Sequence, residues 1–250
     1  MRVIAFKIWG DYAHFRRQYT TSSPLTYSIM PLSVARGIIG GIMGYSRKEY
    51  PDILHPNKTK LGIRLLKPVK KIRIGINLLD TKDGGWVNLD TSTKRPLLKK
   101  DGSGNFRLHT QVRVEFLKDP TFEVFFNHID KDLMDEFSQK LKEHRTVYTP
   151  YLGITECIGN FALLWDMEVE PYEGEANILS AFTKDSVEKL YLKEHVSLLK
   201  ESIPTFLNAD RIREKSSDVI FNPYAEPTSA YVKGAFLYPT GQNEAFVFID

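Results

Sequence analysis

Residues 2–44 read RVIAFKIWGDYAHFRRQYTTSSPLTYSIMPLSVARGIIGGIMG, and the change of period inside this stretch decides the fold. Over 2–9 the apolar residues alternate. Ile4, Phe6 and Ile8 face one side, with Val3, Ala5, Lys7 and Trp9 on the other, which predicts a sheet strand whose wetter face ends at Lys7 and Trp9. From Pro31 the spacing turns helical. Pro31 suits a first turn, where a missing N–H costs nothing, and Leu32, Ala35, Ile38, Ile39 and Ile42 form one apolar stripe. Gly37, Gly40, Gly41 and Gly44 sit in this helix or at its end. Each interior glycine costs roughly 0.8–1 kcal/mol against alanine, so three cost about 2–3 kcal/mol that something must offset. Gly37, Gly41 and Gly44 share a face, which is expected to bring another backbone close, either the sheet or a phosphate chain. Gly44 also suits a C-terminal cap.

The loop between strand and helix carries His14, Phe15, Arg16, Arg17, Tyr19, the hydroxyl run Thr20–Ser23 and Tyr27. Cations neutralise phosphates, hydroxyls donate to phosphate oxygens and aromatic rings stack on unpaired bases. Between Tyr12 and Lys48 the cations are Arg16, Arg17, Arg36, Arg47 and Lys48, and there is no acid. The stretch reads as a surface made to hold an anion.

Charge over the whole chain sharpens this. Residues 1–79 hold 14 Lys or Arg against Asp11, Glu49 and Asp52, so 14 − 3 gives +11; the rest hold 20 against 28, giving −8. The split points to a polyanion on one side and a basic protein neighbour on the other. No apolar run is longer than Phe161–Trp165, too short to cross a bilayer, and the N-terminus lacks a signal-peptide layout. Cys157 is the only cysteine, so neither a disulfide framework nor a cysteine zinc site is available. A cytoplasmic protein without a membrane partner or cofactor is expected.

Further along, Leu61, Ile63 and Leu65 alternate as a strand, and Ile72, Ile74, Ile76 and Leu78 do so again opposite Lys71, Arg73 and Asn77. Residues 80–106 are too long for an idle connection and read as a basic protruding finger carrying Lys94, Arg95, Lys99 and Lys100, with Trp86 or Leu97-Leu98 available to dock on a partner. Leu108–Phe116 alternates and is expected to form a hairpin with Thr121–Phe126 through the turn Lys118-Asp119-Pro120. Asp130 suits the N-cap of a helix bearing Leu133, Met134, Phe137 and Leu141 on one face. After a turn at Pro150 and Gly153, a strand runs through Glu168. The order strand, helix, strand, excursion, strands, helix, strand predicts an α+β fold: a ferredoxin-like (RRM-like) βαββαβ domain over 1–168 with an inserted thumb at about 80–106. A smaller β-rich region over 169–250 is expected to pack on it, with strands at 189–198, 217–221, 229–237 and 244–249.

Phosphate loops, dinucleotide fingerprints, HExxH and GxSxG motifs are all missing, and no carboxylates cluster near the basic surface for metal chemistry. A metal-independent ribonuclease needs only a base, an acid and a cation; His14, Tyr27 and Lys7 or Arg16 are candidates, with His109 another. Stacking or hydrogen bonding is the better reading of those histidines.

Four stretches together resemble one family: MRVIAFKIWGDYAHFRRQYTTSSPLTY (1–27), PLSVARGIIGGIMG (31–44), FRLHTQVRVEFLKDPTFEVFF (106–126) and YTPYLGITEC (148–157). The chain is similar to the Cas-five family, RAMP-superfamily subunits of the type I CRISPR interference complex (Cascade), nearest the type I-B branch. The resemblance covers roughly residues 1–165. It implies a non-catalytic subunit of antiviral defence that caps one end of the complex and holds the 5′ handle of the CRISPR RNA. Its partners would be the Cas-seven backbone subunit, reached by the thumb, and the Cas-eight large subunit; target DNA is met only through the complex. By the same resemblance His14, Phe15, Arg16, Arg17, Tyr27, Arg36, Gly40 and Gly41 would touch the handle. Arg107 and His109 would join them where the thumb returns to the sheet. The Tyr, Lys and His set with which the type I-C branch cleaves precursor RNA has no convincing place in this sequence.

Overall fold

The computed structural model describes residues 1–20, 23–79, 89–90, 95–96, 99–100, 106–107, 109–191, 196–239 and 241–249, the side chains of 78–110 excepted. In chain order the elements begin with β1 (Arg2–Trp9), β2 (Tyr12–Ala13), α1 (Leu32–Met43), α2 (Tyr50–Ile53), β3 (Thr59–Leu65) and β4 (Lys71–Leu79). Four two-residue strands follow, β5 (Leu89–Asp90), β6 (Arg95–Pro96), β7 (Lys99–Lys100) and β8 (Phe106–Arg107). Then come β9 (His109–Lys118), β10 (Thr121–His128), α3 (Lys131–Lys142) and β11 (Asn160–Glu168). The last third adds β12 (Pro171–Ile178), β13 (Val187–Leu190), β14 (Leu199–Leu207), β15 (Arg213–Phe221), β16 (Thr228–Leu237) and β17 (Glu244–Phe246).

The central sheet has the order β11-β1-β10-β3, every pair antiparallel, with Ile4 opposite Phe126 and Ile8 opposite Phe161. The alternation seen in β1 is used on both faces. Ile4, Phe6 and Ile8 point into the core under α1 and α3, where Phe6 and Phe126 pack edge-on against Phe137 at 5.4 and 5.1 Å. Val3 and Ala5 are equally dry because a second sheet, β12-β17-β16-β13, covers that side, with Phe246 stacked on Phe125 at 4.2 Å. Only Lys7 and Trp9 lie beyond its cover. The Asp130 carboxylate caps α3, accepting from the N–H groups of Asp132 and Leu133 at 2.9 and 3.3 Å.

The described C-terminal strands enter the same core as the first sheet. Ile249 and Ala181 donate backbone N–H groups to the carbonyls of Leu61 and Ile63, both at 2.8 Å, alongside β3. Gly62 makes this approach possible: a Cβ there would stand 2.6 Å from the Val247 carbonyl oxygen.

Two expectations are corrected. Residues 109–118 and 121–128 do not form a hairpin: β9 pairs with β4 and β2, whereas β10 lies between β1 and β3 in the central sheet. The chain changes sheets at Asp119, in the left-handed conformation with φ 51°. The described part is the β4–β9 ribbon, paired from Lys71 opposite Leu117 to Leu79 opposite His109; of the finger expected at about 80–106, residues 80–88, 91–94, 97–98 and 101–105 lie outside the described residues. In the C-terminal third, β12 and β14 were absent from the sequence reading; of the strand expected at 189–198, Lys189 and Leu190 belong to β13, and 192–195 lie outside the described residues.

Candidate nucleic-acid interface

The basic loop folds back on itself. Arg16 bridges to Thr26, Arg17 N–H donates to the Leu25 carbonyl at 2.8 Å, and Tyr27 N–H donates to the Phe15 carbonyl at 2.9 Å. Its aromatic members divide by burial. His14 is 4% exposed, its Nδ1–H donating to the Glu115 carbonyl at 2.7 Å. Phe15 is buried against Phe122. The expectation that these two rings meet RNA is corrected: they anchor the loop to β9 and the core, and neither face is offered outward. Tyr27 is also buried, which pushes its phenol pKa up, and the Arg17 guanidinium lies 5.4 Å from its ring centroid. Arg17 itself is paired with Glu201 of β14. Arg16 remains exposed at the loop end beside Tyr19, which is 89% exposed; Thr21 and Ser22 lie outside the described residues.

Helix α1 follows the apolar stripe, with Pro31 at the N-cap rather than inside the first turn. Arg36 is 1% exposed, so its expected contact with RNA is corrected to an interior position. The glycines separate into two jobs. A Cβ on Gly40 would come within 2.9 Å of the Tyr50 Cβ, so Gly40 is the glycine that permits close packing, and its expected RNA contact is corrected too. Gly44, at φ 90°, is the left-handed C-cap. A Cβ placed on Gly37 or Gly41 would meet its nearest neighbour only at 4.0 Å; these two form a floor, where the sequence led us to expect a crowded face.

That floor belongs to a groove of about 570 Å³. One wall is Tyr45, Ser46, Arg47 and Tyr50, a second is Tyr148 to Tyr151, and the end of β14 and the turn after it supply Leu207 and Arg211. Two guanidiniums, four phenols and three hydroxyls from Ser33, Ser46 and Thr149 line it, and among the described residues no acid does. Glycine at 37 and 41 leaves the helix bare enough for a chain to lie against it. The volume falls in the usual range of ligand pockets, and the chemistry suits a phosphate chain with unstacked bases. Arg47, Arg211, Tyr148 and Tyr151 were missed from sequence because four separate segments build the groove; the acid-free composition of 12–48 was the available signal.

The ribbon is less basic than its sequence suggested. Glu115 lies 3.4 Å from the Lys71 ammonium and 3.6 Å from the Arg73 guanidinium, while Arg64 is drawn inward to Glu123 at 3.2 Å. Trp86 and Lys94 lie outside the described residues. Only the backbone is described for Arg95, Lys99, Lys100, Arg107 and His109, the last opposite Leu79 in the ribbon. No group of three or more His, Cys, Asp or Glu positioned to hold a metal occurs among the described residues. Cys157 is buried and its thiol is pushed up to about 11.

The fold and groove define a sheet-rich α+β protein with an acid-free, tyrosine-walled surface cleft. The profile of the family described as CRISPR-associated protein (Cas_Cas5) matches residues 3–220. The chain belongs to this family, the Cas-five proteins. Among solved structures it is similar to a chain of a CRISPR RNA-guided surveillance complex, at 12% identity over 92% of this chain and 91% of that one, with a TM-score of 0.53. It is also similar to a CRISPR protein from Archaeoglobus fulgidus, at 14% identity over 98% of both chains, again with a TM-score of 0.53. At these identities the likeness is one of fold. No curated protein matches the sequence significantly. Among the described residues no helix is long and apolar enough to cross a membrane.

Proposed function

We propose that this protein is a non-catalytic RNA-binding subunit of a Cascade-type CRISPR effector complex, holding the 5′ handle of the CRISPR RNA in the groove over Gly37 and Gly41. The acid-free lining of that groove carries the reading: Arg47 and Arg211 for phosphates, and Tyr148 and Tyr151 for splayed bases. Family membership supports a place in a CRISPR effector complex, as does the fold shared with a chain of an RNA-guided surveillance complex. The ferredoxin-like reading of the domain rests on the element order βαββαβ once the ribbon is set aside, and on a sheet in which the fourth strand lies beside the first and the third beside the second. The thumb ribbon is assigned to the Cas-seven backbone, the acidic C-terminal third to a basic neighbour in the complex, the Cas-eight subunit lies nearby, and the setting is the cytoplasm of a type I-B system.

A non-catalytic role is favoured because the candidate base, His14, is buried with its Nδ1 committed to the Glu115 carbonyl. The test is binding of labelled single-stranded repeat RNA across a salt series, with Arg47→Ala combined with Arg16→Ala. The double variant is expected to weaken binding and to flatten the salt dependence by about 0.7 per lost phosphate contact. An unchanged affinity and slope would remove the groove and loop from the interface. Incubation of the same RNA with pure protein in EDTA is expected to leave it intact; a specific cut abolished by Tyr27→Phe would make the protein a nuclease.

A further inference from the structure

Arg211 sits in the turn between β14 and β15 with φ 65°, a backbone conformation that suits glycine and is uncommon for a bulky residue. The turn is firmly built. Asn208 Oδ1 accepts from Asp210 N–H at 3.0 Å and from Ile212 N–H at 2.9 Å, and Asn208 N–H donates to the Ile212 carbonyl at 3.0 Å. It projects the guanidinium across the groove, where it donates to the Tyr50 hydroxyl and lies 5.1 Å from that ring's centroid. Tyr50 is fixed from behind by α1, since its Cβ and Cγ fill the space a Gly40 side chain would need. A strained backbone therefore places a permanent cation in an acid-free groove, and the partner that holds it is a neutral phenol.

We propose that Arg211 is a phosphate ligand of the groove that Tyr50 holds in reserve. A strand entering the groove takes the guanidinium from the phenol, because a phosphate can accept two parallel N–H bonds from the guanidinium and neutralises its charge, whereas the phenol accepts one and carries no opposite charge. The exchange needs only a swing of the long side chain. The antiparallel pair β14–β15 stays in place, since its other end is fastened where Glu201 accepts from Ser28 N–H and Oγ–H at 2.8 and 2.7 Å and from Arg17. Tyr50 thereby tunes the affinity of the groove by competing for its cation. This inference rests on the RNA-binding reading above.

The test measures the affinity of the full chain for single-stranded repeat RNA across a salt series in wild type, Arg211→Ala, Tyr50→Phe and the double variant. Arg211→Ala is expected to weaken binding and reduce the salt slope by about 0.7, the loss of one phosphate contact on a single strand. Tyr50→Phe, which keeps the ring and removes the hydroxyl, is expected to tighten binding by about two- to tenfold. That gain should vanish in the Arg211→Ala background. Arg211→Gly, which suits the left-handed turn, replaces Arg211→Ala if the alanine variant fails to fold. A salt slope unchanged without Arg211 would overturn its role as a ligand while leaving the RNA reading intact. A Tyr50→Phe variant that binds as wild type does, or more weakly in both backgrounds, would overturn the competition. Wild-type protein that shows no salt-dependent RNA binding would overturn both readings together.

Discussion

Arg17 donates to Glu201, a residue 184 positions further along the chain, and this pair ties the basic loop to the C-terminal ribbon. The Glu201 side chain is 9% exposed and also takes two hydrogen bonds from Ser28, so three donors of the loop converge on one carboxylate. Two adjacent arginines therefore have different roles: Arg17 holds the structure, and Arg16 faces outward.

Separate alanine substitutions should resolve them. Arg17→Ala is expected to cost about 1–2 kcal/mol of stability, a figure reduced for the partly exposed guanidinium, and to lower the melting temperature. Arg16→Ala should leave melting unchanged and weaken RNA binding. Thermal denaturation alongside the binding assay checks both; equal melting of the two variants would mean that the Glu201 contact contributes nothing.

Gly40→Ala and Gly41→Ala are expected to have opposite effects on stability. At 40 the methyl group would meet Tyr50 at 2.9 Å, an overpacking cost of about 1–3 kcal/mol that exceeds the gain in helix propensity. At 41 the nearest atom is 4.0 Å away, so alanine is expected to gain up to about 1 kcal/mol. The same methyl group would protrude into the groove floor and weaken RNA binding. Urea denaturation of both variants supplies the signs.

Two carboxylates, Asp166 and Glu123, oppose one another in pH dependence. Hydrogen bonds from Arg2, with a further one from Ser138, hold Asp166 below its ordinary 3.8 despite partial burial. Its contribution is complete above 3.8 and is lost as pH falls through the lowered value. Burial pushes Glu123 above its ordinary 4.5, against the pull of Arg64 and Tyr238. The folded state then binds the proton more tightly than the unfolded chain, so this group subtracts stability as pH rises from 4.5 through the raised value. Asp166→Asn is expected to lower the neutral-pH melting temperature and to flatten the acid limb. Glu123→Gln should remove the decline on the alkaline side of 4.5. Melting curves from pH 3 to 8, an interval of about five units chosen to span both windows, check this.

The handover at Asp119 gives a backbone test. Its φ of 51° is left-handed, a region that Asp and Gly tolerate and β-branched residues do not. Asp119→Val is expected to cost about 1–2 kcal/mol and Asp119→Gly to be neutral or slightly stabilising. Equal stabilities would show that the turn relaxes freely.

Periodicity made β1, α1, β3, α3 and β11 legible, because each buries a stripe or a face that local spacing reports. The ribbon pairing was hidden for a definite reason. Only Asp119 and Pro120 separate β9 from β10, and local pattern reads such a spacing as a hairpin; the true partners of β9 lie in β4 and β2. Strands β12 and β14 carry Pro171, Gly174 and Pro204, which argue against a strand until both neighbours are known. The loop was recognised as a functional element, yet composition could not tell His14 and Phe15, which turn inward, from Arg16 and Tyr19, which do not. Arg211 was invisible because the groove joins segments far apart in the chain, and the Tyr50 hydroxyl it donates to is 161 residues away in sequence.

The sheet change at Asp119 also has a mechanical meaning. The two strands of the ribbon continue, after short links, into β3 and β10, which are themselves neighbours in the central sheet. Its root is clamped by backbone bonds from Lys118 to Lys70, Asp119 to Asp11 and Leu66 to Thr121, at 2.8 to 2.9 Å. The ribbon, about 30 Å along β4 at the usual strand rise, is thus held along its root half, where Val114, Phe116 and Leu117 are buried and Glu115 N–H donates to the Pro24 carbonyl at 2.9 Å. A sideways load on its tip is delivered as torque to the two strands beneath the core, and the base of the hairpin loop at Asp11 and Tyr12 shares the same support.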